Sequence, residues 1–410
     1  MNTPARLISA TLLFAFSAAP AVAGWNQWRG PNRDGSCPGG KWPAKLSGLQ
    51  QLWRVPMGAS YSGPVTHGNL VFTTESKDKQ FEFAHAVDAD TGKIVWTAQW
   101  EGHQGVPFFA RRNGDWIRAT PAVDETNVYV SGMQDVLVAL DVKTGKVNWR
   151  IDFPKDLKAN PQSFGYVTSP MVEGGALYTH AGAGFCKLDA ATGKVIWRSL
   201  DDGGGMMGGS FSSPVIATVA GKRQVIVQGR TELHGLDPEN GTGLWSQPVK
   251  AFRGMNIYTP VVKGNRIFTS AYGGLSQAWD IGKEGEGLKP SLSWEHKAEG
   301  YMSTPVVIGG KVFMHLRNQK AACMDLATGK QEWVSEQKFG EYWSLAYQGD
   351  RILALDMKGI LYLIKASPEK LEIIDEKKVA SEECWAHLAI DGDRIYIREL
   401  NALTAFKWTE

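Results

Sequence analysis

The sequence predicts an all-β fold: an eight-bladed β-propeller of four-stranded antiparallel blades, closed by an N-terminal strand that completes the last blade. Three observations predict it. The phrase AVDADTGKIVW at 86–96 returns as ALDVKTGKVNW at 139–149 and KLDAATGKVIW at 187–197, with Asp eight positions before Trp each time. A second phrase precedes each copy, such as TPAVDETNVYVSG at 120–132 and TPVVKGNRIFTS at 259–270. The shared period is close to the ~40–50 residues of one propeller blade. Finally, the chain ends one strand short, while a spare strand, LQQLWRVPM, stands early at 49–57.

Taken in order, residues 1–23 read as a secretory signal. Arg6 supplies the positive start, Leu7 to Ala19 an apolar run, and Ala21-Val22-Ala23 a small-residue cleavage site. The run is too short to span a bilayer comfortably, and Gly24 rather than Cys follows the cut. A secreted or periplasmic mature chain without lipid anchor or transmembrane helix is therefore expected from Gly24. Residues 24–48 form an N-terminal arm whose Trp25, Trp28, Arg29 and Trp42 are expected to pack on the propeller, which occupies 49–410.

Within the propeller, the pairs Asp88/Trp96, Asp141/Trp149, Asp189/Trp197, Asp237/Trp245 and Asp325/Trp333 keep the spacing, and Asp280/Trp294 is a stretched copy. Two weaker copies, 344–366 and 386–408, bring the number to eight. In each unit, proline opens the first strand, where a missing N–H is tolerated. A Gly-Asn or Gly-Gly turn leads to the second strand. The third is short and ends in the Asp-x-x-Thr-Gly turn, where Asp and Thr bond nearby N–H groups and Gly takes positive φ. The fourth ends at tryptophan. The small side chain before Asp lets the next blade approach, and the indole fills the gap between blades, worth about 2–3 kcal/mol each. Trp53 of the spare strand takes the same place in the last blade.

Composition narrows the function. The net charge is +2 with both signs dispersed, so no nucleic-acid partner is indicated. Cys37, Cys186, Cys323 and Cys384 lie far apart, without CxxC, and read as buried or singly paired thiols. The eight histidines have no metal-ligand spacing, so no metal is assigned. GGGMMG at 203–208 matches a phosphate-loop pattern only literally; it opens no helix and reads as an interblade loop. Asp201-Asp202 and Glu382-Glu383 read as solvated loop charges. No nucleophile motif is present, and no catalytic residue is assigned.

Strand alternation sorts the connections onto two faces. Short Gly-rich turns share one face. The longer connections between blades, and between second and third strands, share the other, and varied loops are where function concentrates. The residues leading into each first strand ring the axis there. They nominate a funnel for a ligand or partner from Tyr61, Trp116, Arg118, Tyr166, Phe211, Arg253, Tyr258, Tyr301, Trp343 and Trp385.

The Ala-x-Asp-x-x-x-Thr-Gly-x-x-x-Trp phrase resembles the tryptophan-docking motif of the pyrroloquinoline quinone (PQQ) repeat propellers, over about residues 49–408. The arm WNQWRGPNRDG at 25–35 resembles the segment preceding the propeller in many secreted bacterial members. That family holds both quinoprotein dehydrogenases and BamB-like, non-enzymatic envelope scaffolds. The resemblance implies a binding scaffold for an envelope protein or peptide. Its alternative is a PQQ-dependent oxidoreductase of alcohols or sugars, with PQQ and calcium as cofactors. An adjacent Cys-Cys pair, common beside the quinone in such dehydrogenases, is missing here. The aromatic funnel also admits a weaker alternative, a carbohydrate-binding module.

Overall fold

The computed structural model describes residues 24–37, 39 and 42–408; the signal-peptide reading of 1–23 lies outside the described residues. Eight four-stranded antiparallel sheets stand in a ring. Blade 1 spans 65–101, blade 2 122–152, blade 3 171–199, blade 4 215–248, blade 5 261–296, blade 6 306–338 and blade 7 343–378; blade 8 joins 389–408 to the early strand Leu49–Pro56. The first strand of each blade is innermost, and first strands of neighbouring blades touch around the axis.

Burial follows distance from the outside. In blade 2 the second and third strands, Asn127–Gly132 and Val136–Asp141, are almost wholly buried, because other blades cover both of their faces. The fourth strand, Val147–Asp152, is largely open to solvent. The ring closes as the sequence predicts. Leu49 pairs with Trp408 and Pro56 with Ala402, antiparallel along the whole strand.

A register shift falls beside the tryptophan in one blade after another. Ala86 faces Trp96 while the next residue, Val87, faces Ile94; Ala139 and Leu140 face Trp149 and Val147 in the same way. Trp53 faces Ala405 next to an equivalent shift. The extra residue twists the strand and aims the indole at the neighbouring blade.

That neighbour accepts it in a repeated geometry. Trp53 Nε1 donates to Ala89 O at 3.0 Å, Trp96 to Val142 O at 3.0 Å, Trp149 to Ala190 O at 3.0 Å, Trp197 to Pro238 O at 3.1 Å and Trp294 to Leu326 O at 2.9 Å. Each acceptor is the residue just after the repeat Asp of the next blade. Trp333 donates to Ser367 O at 2.9 Å in blade 7, which lacks that Asp. Trp245 departs from the pattern. It faces the long hairpin of blade 5, Ser276–Glu284 with Gly287–His296, and donates to Gln224 Oε1 at 2.7 Å.

The motif turns hold this arrangement. Asp141 Oδ1 accepts from Thr144 N and Thr144 Oγ1 at 2.8 and 2.7 Å, and Asp88, Asp189 and Asp325 repeat the pair with Thr91, Thr192 and Thr328. Asp237, without that Thr, accepts from Glu239 N at 2.9 Å and pairs with Lys222. The glycine that ends the turn does two jobs. Gly145 sits at φ +70°, and a Cβ there would stand 2.5 Å from Trp96 Cε3. Close approach to the neighbour's indole thus demands glycine as much as the backbone conformation does. Gly92, Gly193, Gly241 and Gly329 meet Trp53, Trp149, Trp197 and Trp294 likewise.

The arm does more than pack on the outside: residues 24–37 run into the axial channel and touch every blade. Trp25 N and O bond Thr66 of blade 1, Asn26 O accepts from Val123 N of blade 2, and Gln27 Oε1 accepts from Val172 N of blade 3. Arg33 reaches Pro214 O before blade 4, and Asp34 pairs with Lys263 of blade 5. Arg29 reaches Pro305 O before blade 6, Ser36 bridges Tyr347 of blade 7, and Trp25 stacks on His387 before blade 8. The chain then leaves beneath blade 7, where Trp42 N donates to Gln348 Oε1 and Leu46 N to Asp375 Oδ2. Cys37, Cys186, Cys323 and Cys384 are all buried free thiols.

Candidate functional site: the loop face

The face bearing the interblade connections carries aromatic side chains in three runs around the axis. Tyr342, Trp385, Tyr61 and Trp116 form the first, with ring centroids 5.9, 5.8 and 5.2 Å apart in that order. Phe109, Phe164 and Phe211 form the second, at 6.2 and 5.3 Å. Phe252, Tyr272 and Tyr301 form the third, at 5.5 and 4.8 Å. Each run crosses from one connection to the next, so rigid blades fix its spacing.

Arginines are threaded between the rings. The Arg230 guanidinium lies 4.5 Å from the Phe211 centroid, held there by Gly254 O and Arg253 O at 2.7 and 2.9 Å. Arg317 lies 4.1 Å over Tyr272 and is steadied by Glu299 at 3.0 Å; Arg253 lies 5.2 Å from Phe252. These are cation–π contacts, in which the cation rests on the electron-rich ring face. Arg118 folds back onto Trp116 O and Gly114 O at 3.2 and 2.9 Å. Burial pulls it down to about 10, which leaves it charged at neutral pH. Burial, and then the nearby Glu383, push the Tyr61 hydroxyl up to about 12, so it remains a neutral donor.

Between the connections of blades 1 to 4 lies a cleft of about 510 Å³, lined by Gln104, Phe108, Arg111, Asn160, Gln162 and Met206 among others. Phe108 in its lining is 80% exposed, and the adjoining Phe109 and Met207 are 55% and 60% exposed. The glycine loop 203–208 forms one wall. It is pinned rather than free, because Asp202 accepts from Gly204 N, Gly209 N and His180 Nε2 at 2.9, 2.7 and 2.6 Å. Asp202 is therefore not a solvated loop charge. Glu382 likewise accepts from Asn401 N at 2.8 Å.

Of the ten funnel residues nominated from sequence, seven stand half-buried or exposed on this face: Tyr61, Trp116, Arg118, Phe211, Arg253, Tyr301 and Trp385. Tyr166, Tyr258 and Trp343 do not. Tyr166 donates to or accepts from Thr179 Oγ1 at 2.5 Å, Tyr258 OH donates to His315 O at 3.2 Å, and Trp343 packs 4.3 Å from Phe339; all three are buried. Proximity to a first strand fixed their height along the axis but not the side to which they turn, and they turn into the blades. Phe108, Phe109, Phe164, Arg230, Tyr272 and the Met206-Met207 pair were missed. A Phe-Phe pair flanked by Pro107 and Arg111-Arg112 was the available signal, since an apolar pair in a polar connection has no blade to fill.

No group of three or more His, Cys, Asp or Glu suited to a metal ion occurs among the described residues. No helix among them is long and apolar enough to cross a membrane.

The family model described as outer membrane protein assembly factor BamB matches residues 80–335. The BamB of Moranella endobia is 22% identical over 372 residues, covering 86% of this chain and 88% of that protein. The crystal structure of BamB from Moraxella catarrhalis superposes with a TM-score of 0.62 at 14% identity, covering 88% of this chain and 98% of that one. The quinohemoprotein alcohol dehydrogenase of Comamonas testosteroni superposes with a TM-score of 0.69 at 15% identity, over 95% of this chain and 81% of that one. At such identities the two superpositions speak for the shared propeller alone. The family model spans more than half of the chain, and the chain belongs to the family of the outer membrane protein assembly factor BamB.

Proposed function

We propose that this protein is an exported, non-catalytic scaffold of the cell envelope that binds a protein partner through its loop face. One observation carries the reading: Phe109 and Phe252, members of the aromatic runs, are exposed together with Phe108, Met206 and Met207 on a single face, interleaved with arginines. Contiguous apolar surface of this kind is characteristic of interaction sites, and aromatic and arginine side chains dominate binding energy at interfaces. The opposite face offers short polar turns. Membership of the BamB family supports a partner from the envelope, in the form of a peptide segment or loop that lies across the cleft.

A quinone-dependent oxidoreductase draws less support from these residues. The axial channel is filled by Trp25, Arg29 and Arg33 of the arm, and the four cysteines are free thiols with no two adjacent in sequence. Incubation with PQQ and calcium, followed by dye reduction with alcohols or sugars, tests that alternative directly; turnover would replace the scaffold reading.

The scaffold reading is tested with a photo-crosslinking residue placed at Phe109, and at Lys93 on the turn face as control, in intact envelopes. A discrete adduct from position 109, absent from position 93 and abolished by Phe108→Ser with Phe252→Ser, is expected. Only monomer from both positions would refute it. These side chains are exposed, so the substitutions leave the fold intact.

A further inference from the structure

The tip of the arm leaves a charge imbalance inside the channel. Arg29 and Arg33 are 1% and 3% exposed. Arg33 is fully engaged with main-chain oxygens and one amide: Nε to Pro214 O at 2.8 Å, Nη1 to Pro170 O at 3.1 Å and to Gln27 Oε1 at 3.4 Å, Nη2 to Ser169 O at 3.1 Å. Arg29 is not. Its Nη2 donates to Asp34 O and Pro305 O at 3.0 and 2.5 Å, while Nε and Nη1 have no hydrogen-bond partner among the described residues.

Neither guanidinium is directly ion-paired with a carboxylate, and the charge of Asp34 acts on Arg29 only through space. Asp34, the acidic side chain of the tip, is already committed: Oδ1 accepts from Ser36 N and Oγ at 2.9 and 2.5 Å, and Oδ2 takes Lys263 Nζ at 3.2 Å and Tyr347 OH at 3.3 Å. Burial lowers Arg29 to about 10 against the opposing charge of Asp34; burial and then Arg29 lower Arg33 to about 9, so both carry charge at neutral pH. The two cations lie 5.6 and 5.8 Å from the centroid of Trp28, which is half-buried and closes the tip. His387 contributes no negative charge. Its Nδ1 lies 2.8 Å from Leu388 O, and its ring stands 6.0 Å from both Trp25 and Trp28.

Burying a cation without counter-charge or full hydrogen bonding is strongly unfavourable, and guanidinium N–H groups form their strongest bonds with anions. We propose that the axial channel is an anion site: a small monovalent anion, a halide or a carboxylate of acetate size, binds Arg29 Nε and Nη1 beside Trp28 and locks the arm into the propeller. The donors are enclosed, which selects against bulky anions. The site is separate from the loop-face interface, and its test involves no partner protein.

Crystals soaked in sodium bromide locate the ion by anomalous scattering. In parallel, the Tm of the full chain is measured in sodium chloride, sodium acetate and sodium gluconate at one ionic strength. A bromide peak within hydrogen-bond reach of Arg29 Nε or Nη1 is expected. So is a Tm a few degrees higher in chloride or acetate than in gluconate, because a ligand that binds only the folded state stabilises it. The more stabilising of chloride and acetate identifies the class. Arg29→Met removes both the peak and the salt preference. No bromide beside Arg29 in the wild type, or equal Tm in all three salts, overturns the proposal whether or not the variant folds.

Discussion

If the motif glycine exists to receive the neighbouring indole, replacing Gly145 by Ala must cost more when Trp96 is present than when it is absent. The structure supplies both terms. Gly145 sits at φ +70°, and the left-handed conformation costs an L-residue about 1–2 kcal/mol. Its Cβ would also stand 2.5, 2.6 and 3.0 Å from Cε3, Cδ2 and Cγ of Trp96. That ring cannot move aside freely, because Nε1 is bonded to Val142 O at 3.0 Å and the ring packs 5.8 Å from Phe72. Overpacking of this kind adds about 1–3 kcal/mol. Gly145→Ala alone should therefore cost about 2–5 kcal/mol. Trp96→Ala alone should cost about 3–5 kcal/mol. In the Trp96→Ala background the clash is gone, and the glycine substitution should cost only the conformational part, leaving a coupling energy of about 1–3 kcal/mol. Gly264→Ala calibrates that part: its φ is +60° and nothing lies within 4 Å of the added Cβ. Equilibrium urea denaturation of the four proteins, plus the calibrating variant, reads each value. An equal cost for Gly145→Ala in both backgrounds would refute the interblade role of the glycine.

Further outcomes follow from buried polar groups. Glu82 accepts from Met133 N and Trp100 Nε1, both at 2.8 Å, and burial pushes it up to about 7 from an ordinary 4.5. The native state then holds its proton where the unfolded chain has released it. The contribution is intact below about pH 4.5 and is lost as pH rises through 7. Relative to Glu82→Gln, the wild type should lose on the order of 2–3 kcal/mol over that window; parallel stability curves would refute this. Arg33→Met removes the donors to Pro214 O, Pro170 O and Ser169 O, leaving buried carbonyls unpaired at a cost of about 3 kcal/mol. Residues 24–37 should become sensitive to protease while far-UV circular dichroism stays unchanged; an arm that remains protected would count against the plug. Phe153, Tyr166 and Leu177 share one buried cluster, so Tyr166→Ala should lower stability by about 3 kcal/mol without altering any partner adduct. Loss of the adduct with full stability would return Tyr166 to the interface.

The ring was legible because its code is local and repeated. Asp, Thr, Gly and Trp lie within nine residues of one another, and each copy restates the same turn, strand and indole. Even the closing strand could be found, since a missing fourth strand at the end requires a spare one elsewhere. The partner of each indole was harder to see. Gly145 reads as a turn residue within its own blade, and only the neighbouring blade reveals that Trp96 covers it.

The arm marks the other limit of a local reading. Arg33 meets Pro170 and Pro214 across 137 and 181 residues, and Arg29 meets Pro305 across 276; no spacing rule links such positions. The aromatic neighbours of Arg29 let its packing on the propeller be expected, but the carbonyls that Arg29 and Arg33 meet are defined only when the ring closes around them. The same blindness explains the funnel. Tyr258 and Tyr301 both lead into a first strand, yet Tyr258 turns to His315 O inside the neighbouring blade while Tyr301 packs at a tilt against Tyr272 at the surface. Which way a side chain turns there depends on which blade surfaces meet beside it, a property of the assembled ring. The loop face and the channel therefore make different demands on sequence. The first needs exposed apolar residues where no blade can use them, as at Phe108 and Phe109. The second needs charges that no neighbour neutralises, as at Arg29. Both are mismatches between residue and surroundings, and they become visible only when the closed ring defines those surroundings.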